Sequence, residues 1–218
     1  MYLKVRITAY GFLGKEAFVS MNDSLQYYNQ HAKEFFDNTI DVEFKEMQER
    51  FLKYLKPGAR ILDFGCGSGR DTRYFLDRGF KADAIDGSEE LVKIASEYTG
   101  IVVKQMYFQD LDEYETYDGI WACSSILHLT YEELEDVFVK MARALTPGGV
   151  LYTSFKYGTT EGERSGRYFT DMTEEKMNEL LNDVNVFNIM DIWVTADVRP
   201  GRAEEKWLNM ILRKRQTR

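Results

Sequence analysis

The stretch Arg60-Ile61-Leu62-Asp63-Phe64-Gly65-Cys66-Gly67-Ser68-Gly69 opens as a short apolar strand and closes in three glycines at alternate positions. Glycines so placed let the backbone turn tightly and approach a ligand where any Cβ would clash. The helical pattern of residues 71–78, ended by Gly79, completes a strand–turn–helix unit. The spacing is G-x-G-x-G, not the G-x-G-x-x-G of dinucleotide turns, which disfavours a pyrophosphate seated on the helix N-terminus.

Working outward, residues 23–38 and 41–55 carry apolar and aromatic side chains at helical spacing, and Pro57-Gly58 stops the second run. These two segments predict an N-terminal helical cap. Downstream, strands are predicted at 81–85, 101–107, 117–123 and 150–155. They alternate with helices at 88–98, Tyr131–Ala144 and 173–182. Two final strands, near 186–197 and 205–213, have no helix between them and should pair antiparallel. The expected fold is α/β, a Rossmann-like, seven-stranded, mainly parallel sheet with an antiparallel C-terminal hairpin and the helical cap. Residues 1–20 read as a peripheral extension and 21–218 as a single domain.

The 218 residues are 44% hydrophobic and 29% charged, ordinary for a globular protein large enough to bury a core. No apolar run approaches eighteen residues, which excludes a hydrophobic spanning helix. The first twenty residues have neither a clean apolar core nor a small-residue cleavage site, so no secretory signal is expected. Net charge of −8 argues against coating nucleic acid. Two cysteines, Cys66 and Cys123, are too few for a metal site, and His31 and His128 add little. Both read as buried, reduced thiols of a cytoplasmic protein.

Asp86 ends the second strand about 20 residues beyond the glycine turn, where an acid in nucleotide-binding α/β folds accepts hydrogen bonds from ribose hydroxyls. Its competing reading is a helix cap, but Ser88 already offers one. Asp83, by alternation, lies away from the strand tip.

With these residues in place, the sequence resembles the class I S-adenosylmethionine-dependent methyltransferases from about Tyr27 to the C-terminus. ILDFGCGSGRD resembles the family's first motif and AIDGS the second. Gln109-Asp110-Leu111 resembles the third, YDGIWA the fourth, and Leu145–Leu151 the following loop and strand. Within the class the look is that of small-molecule methyltransferases, with weak similarity to tellurite-resistance methyltransferases. The resemblance implies that Gly65, Cys66 and Gly67 contact the methionine part of S-adenosylmethionine, with Asp63 holding the loop or the ammonium through water. It implies Asp86 on the ribose, Gly87 and Ser88 along the adenine, Asp110 on the adenine amino group and Leu111 on its face. Ala122, closing the fourth motif, belongs to the same cofactor set. Tyr28, preferred over Tyr27, would cover the cofactor, and Arg70 could pair with its carboxylate.

Methyl transfer is an in-line displacement from a sulfonium, which needs a base only where the acceptor must lose a proton. His128, beyond the fourth strand, is the candidate, with a packed histidine as its plain alternative. Lys156, Tyr157, Arg164 and Arg167 follow the fifth strand, and Arg199 sits in the final hairpin. Basic residues at the mouth of a chain carrying −8 suit a small polar or anionic acceptor, the plain alternative being a solvated loop. A macromolecular acceptor, a nicotinamide-dinucleotide oxidoreductase and a binding module without turnover are the other readings.

Overall fold

The computed structural model describes residues 23–199 and 201–216. The extension expected at 1–20, and Pro200, lie outside the described residues. Strand β1 (Arg60–Phe64) pairs in parallel with β2 (Lys81–Asp86) on one side and β4 (Tyr117–Ala122) on the other. The main sheet has seven strands in the order β3-β2-β1-β4-β5-β9-β8. Here β3 is Lys104–Gln105, β5 Leu145–Lys156, β8 Phe187–Ala196 and β9 Lys206–Lys214. β9 runs antiparallel to both β5 and β8, so the expected hairpin closes that edge.

The order reverses at β1. Two helices, α4 (Arg70–Asp77) and α5 (Glu89–Thr99), serve the β1-β2-β3 half, while α6 (Tyr131–Ala144) and α7 (Glu174–Val184) serve the other. Side-chain alternation separates the two faces. Ile61 joins Phe75, Trp121 and Tyr152 in one core, whereas Leu62 and Phe64 join Phe138, Met141 and Leu180 in the other. Such a reversal leaves a crevice at the carboxyl ends of β1 and β4. Local sequence fixes several boundaries. Thr130 and Glu133 form a reciprocal capping box on α6, and Ser88 accepts from Leu91 N–H to start α5.

Four segments depart from expectation. The helix predicted over 23–38 is two helices, α1 (residues 23–30) and α2 (Ala32–Thr39), interrupted at His31. The His31 ring stacks back on Tyr27, 4.3 Å between centroids. The next helix, α3 (Lys45–Leu52), starts late, which leaves Val42 and Phe44 to line the crevice. Of the third strand only two residues pair, because the sheet edge there meets β2 alone. A hairpin of β6 (Glu161–Arg164) and β7 (Arg167–Thr170) stands where a loop was expected. Its turn, Ser165-Gly166, has both residues at positive φ, 51° and 73°, the geometry of a two-residue hairpin connection. Among the described residues no helix is long and apolar enough to cross a membrane.

Candidate active site

The crevice begins at the glycine turn. Gly65 and Gly67 have φ of 87° and 55°. A Cβ on Gly65 would lie 2.5 Å from Ser125 Cβ, and one on Gly67 2.9 Å from Phe35 Cε1. The turn is pinned to β2 because Gly65 and Cys66 N–H both donate to the Ile85 carbonyl, at 3.0 and 2.9 Å. Asp86 then organises the rim: its Oδ2 accepts from Gly67 N–H and its Oδ1 from Ser88 N–H, each at 2.9 Å. A carboxylate oxygen accepts two hydrogen bonds, so Asp86, which lines the cavity, keeps acceptor capacity for a hydroxyl donor. Burial pushes its carboxyl up, opposed by the N–H groups of Ser88, Gly67 and Gly87.

Beneath the turn lies a buried acid cluster. Asp63 accepts from the Thr72 hydroxyl at 2.5 Å, and burial together with neighbouring Asp71 pushes its carboxyl up to about 8. Asp71 is itself desolvated, yet it is held low by bidentate Arg70 and by hydrogen bonds from Trp121 and Gln48. Arg70 lines the cavity but is committed to Asp71, with its guanidinium 4.6 Å over the Phe44 ring. Its Nε and Nη2 are thus engaged with a buried acid and are not turned as a fork into the cavity. A cation near Asp63 would favour its ionised form. The donor set therefore fits S-adenosylmethionine: Asp86 for a hydroxyl, Asp63 for an ammonium, and a glycine turn that a Cβ would fill.

The other half of the crevice is basic and aromatic. His128 Nδ1 lies 2.6 Å from the Tyr168 carbonyl, which can only accept, so Nδ1 carries the proton. Nε2 is then the acceptor, and the Tyr28 hydroxyl donates to it at 2.9 Å. Burial lowers the His128 pKa to about 4, aided by the positive charges of Arg167 and Lys156. At His128, where a base was expected, the Nε2 lone pair is engaged by the Tyr28 hydroxyl and so orients Tyr28. Arg167 donates weakly to the same hydroxyl, at 3.4 Å. Lys156 pairs with Glu205 at 2.5 Å, and Arg199 forks onto Asp197 at 2.9 and 2.5 Å.

Tyr28, Asp63, Gly65, Cys66, Gly67, Arg70, Asp86, Gly87, His128, Lys156, Arg167 and Arg199 therefore share one cavity. Six expected residues lie outside its lining. Ser88 is consumed as the α5 cap and donates to Asn29. Asp110 is exposed at the end of a 3-10 turn, while Leu111 points into the core and Ala122 is sealed within β4. Tyr157 is exposed and donates to Glu174, and Arg164 forks onto Asp171. In their place stand Met106, Tyr107 and Phe108 on one wall and Phe35, Phe44 and Trp207 on another. A positional shift explains the miss at Asp110 and Leu111: the residues lining the cavity are Met106 to Gln109, just before them, where the chain has left β3. Cys66 and Cys123 are unpaired; burial pushes the first thiol well up and the second to about 12, so neither is a nucleophile.

A family model described as a methyltransferase domain matches residues 61–149. An uncharacterized methyltransferase of Staphylococcus carnosus is 26% identical over 183 residues, covering 77% of this chain and 87% of the relative. An S-adenosyl-L-methionine-dependent Diels-Alderase of Talaromyces variabilis is 26% identical over 159 residues, 67% of this chain and 52% of that protein. In fold, the chain is similar to the 1,6-didemethyltoxoflavin-N1-methyltransferase of Burkholderia thailandensis, solved with 1,6-didemethyltoxoflavin and S-adenosylhomocysteine bound. The TM-score is 0.74 at 21% identity, over 99% of both chains. Strand order, motif order and these likenesses agree: residues 61–149 are a methyltransferase domain, the fold is that of the class I S-adenosylmethionine-dependent methyltransferases, and S-adenosylmethionine is the cofactor.

Proposed function

We propose that this enzyme methylates a small polar or anionic acceptor bound between the β6–β7 hairpin, the end of β5 and helix α1. The observation that carries this reading is the composition of the mouth, where Arg167, Lys156 and Arg199 meet Tyr28, Phe169 and Trp207 beside an acid-lined cofactor crevice. The bound cofactor supplies an activated methyl group. The chain's own residues have three tasks: Asp86 and the glycine turn fix the cofactor, α1 and α2 exclude water, and the mouth aligns the acceptor. The small-molecule type expected from the sequence fits a mouth covered by the chain's own helices, and two unpaired thiols suit the cytoplasm.

The test is a screen with methyl-labelled S-adenosylmethionine across phenol, carboxylate, amine, thiol, oxyanion and heteroaromatic acceptors. Label should pass to a member of the polar or anionic classes and to no neutral apolar compound. The likeness to a Diels-Alderase favours one further reading, in which the cofactor stays intact while the same cavity folds a polyene. Under that reading the label remains on the cofactor and the product has the mass of the substrate.

A further inference from the structure

Five cations surround the mouth, and four lie within ion-pair distance of acids of the same chain, two of them sharing Glu205. Lys156 pairs with Glu205, Arg199 with Asp197, Arg164 with Asp171, and Arg202 sits 3.9 Å from Glu205. Arg167 differs. Among the described residues no carboxylate lies within ion-pair distance of it, and its Nε is buried with no hydrogen-bond partner. Among the described residues its side chain has one polar contact, the long one to the Tyr28 hydroxyl, which is directed to His128. Its guanidinium lies 4.3 Å from the Tyr27 ring centroid, 5.2 Å from Phe169 and 5.7 Å from Tyr28. Aromatic faces soften the desolvation of a guanidinium but do not replace an acceptor for its N–H groups. A partly buried, uncompensated cation lining a cavity calls for an anion supplied from outside.

The titratable groups of the acceptor half are each engaged within the chain. His128 is neutral and its Nε2 accepts from Tyr28. Burial raises the Tyr28 hydroxyl. Asp197 is locked by Arg199 and by the Trp207 indole at 3.0 Å, and Glu205 by Lys156. Asp63 and Asp86 belong to the cofactor half. An acceptor bearing an acidic proton is a better nucleophile once that proton is lost, and a positive charge beside the bound group lowers the pKa of that group.

Resting on the methyl-transfer reading above, we propose that Arg167 is an anion-recognition residue that selects a planar acid, a phenol or an acidic ring N–H, and holds it as its conjugate base. The aromatic walls at Phe169, Tyr28 and Trp207 suit a flat ring. The acceptor's lone pair forms the new bond to the methyl carbon while the S–C pair returns to sulfur. The anion and the sulfonium neutralise each other, and no proton moves in that step.

The test uses the full chain saturated with S-adenosylhomocysteine and 4-nitrophenol as the probe, since its phenolate absorbs separately from the phenol. The bound probe should titrate about one unit lower than in water, and the phenolate should bind about tenfold more tightly than neutral 4-nitroanisole. Arg167→Gln should abolish both effects with S-adenosylhomocysteine affinity kept, which also reports that the variant is folded. Arg167→Lys, retaining charge without the fork, should keep part of the shift. Equal binding of the two probes, no binding of the phenolate at millimolar concentration, or loss of S-adenosylhomocysteine affinity in Arg167→Gln would overturn the inference. The last would assign the guanidinium to the cofactor's carboxylate. Failure of the methyl-transfer reading is separable: label would then stay on the cofactor for every acceptor while the phenolate preference persisted.

Discussion

The two halves of the crevice are opposite in charge and in origin. The cofactor half is acidic, and its organising residues, Asp63 to Asp86, come from one strand–turn–helix–strand unit. The acceptor half is basic and aromatic, assembled from Tyr28, His128, Lys156, Arg167 and Trp207, residues scattered over most of the chain. A cation is thus welcomed on one side and an anion on the other, and only the first arrangement is local enough to leave a sequence motif.

The most damaging way to break the cofactor half is Gly65→Ala. The new Cβ would occupy a left-handed backbone position and overlap Ser125. Together these cost about 2–5 kcal/mol from backbone strain and overpacking. Calorimetry should show stability and S-adenosylhomocysteine affinity falling together; an unchanged affinity would mean that the turn relaxes.

Asp86→Ala should weaken S-adenosylhomocysteine binding by on the order of 1–3 kcal/mol, the worth of hydrogen bonds to a charged group. Asp86→Asn, which can keep one acceptor for Gly67 or Ser88 N–H, should lose less. If both variants fell equally in titration calorimetry, charge and not the acceptor pattern would be what matters.

Asp63 sharpens the contrast through pH. Its folded carboxyl titrates near 8, above the ordinary 3.8, so between those values the folded chain holds a proton that the unfolded chain has lost. Its contribution to stability is therefore full below about pH 4 and declines as pH rises through about 8. The melting temperature of the cofactor-free protein should carry this downward slope between pH 5 and 8, and Asp63→Asn should flatten it. A slope that persists in the variant would place its origin elsewhere.

The smallest effect is expected at Asp110→Ala. Its exposed side chain lies outside the cavity lining, so S-adenosylhomocysteine affinity should stay within about twofold, the range of an ordinary surface change. A larger loss would restore the adenine contact that the sequence suggested.

The legibility of each half follows from these same residues. Arg60–Phe64 could be read to the residue, as could Tyr131–Ala144 with its capping box, because apolar runs, glycines and caps act over a few positions. The hairpin at Glu161–Arg164 and Arg167–Thr170 escaped because its strands are short and charged. Ser165-Gly166 was the signal available there.

The sequence by itself determined the alternating strands and helices, the glycine turn and Asp86 at its strand tip, and so the motifs that carry the family resemblance. Each of these is set by short-range backbone chemistry. Only the tertiary structure decided which charges remain uncompensated. Among the described residues Arg70, Arg164, Lys156 and Arg199 find acids and Arg167 does not, while His128 spends its lone pair on Tyr28, 100 residues away. Ion pairing acts through space, and a list of residues holds no distances.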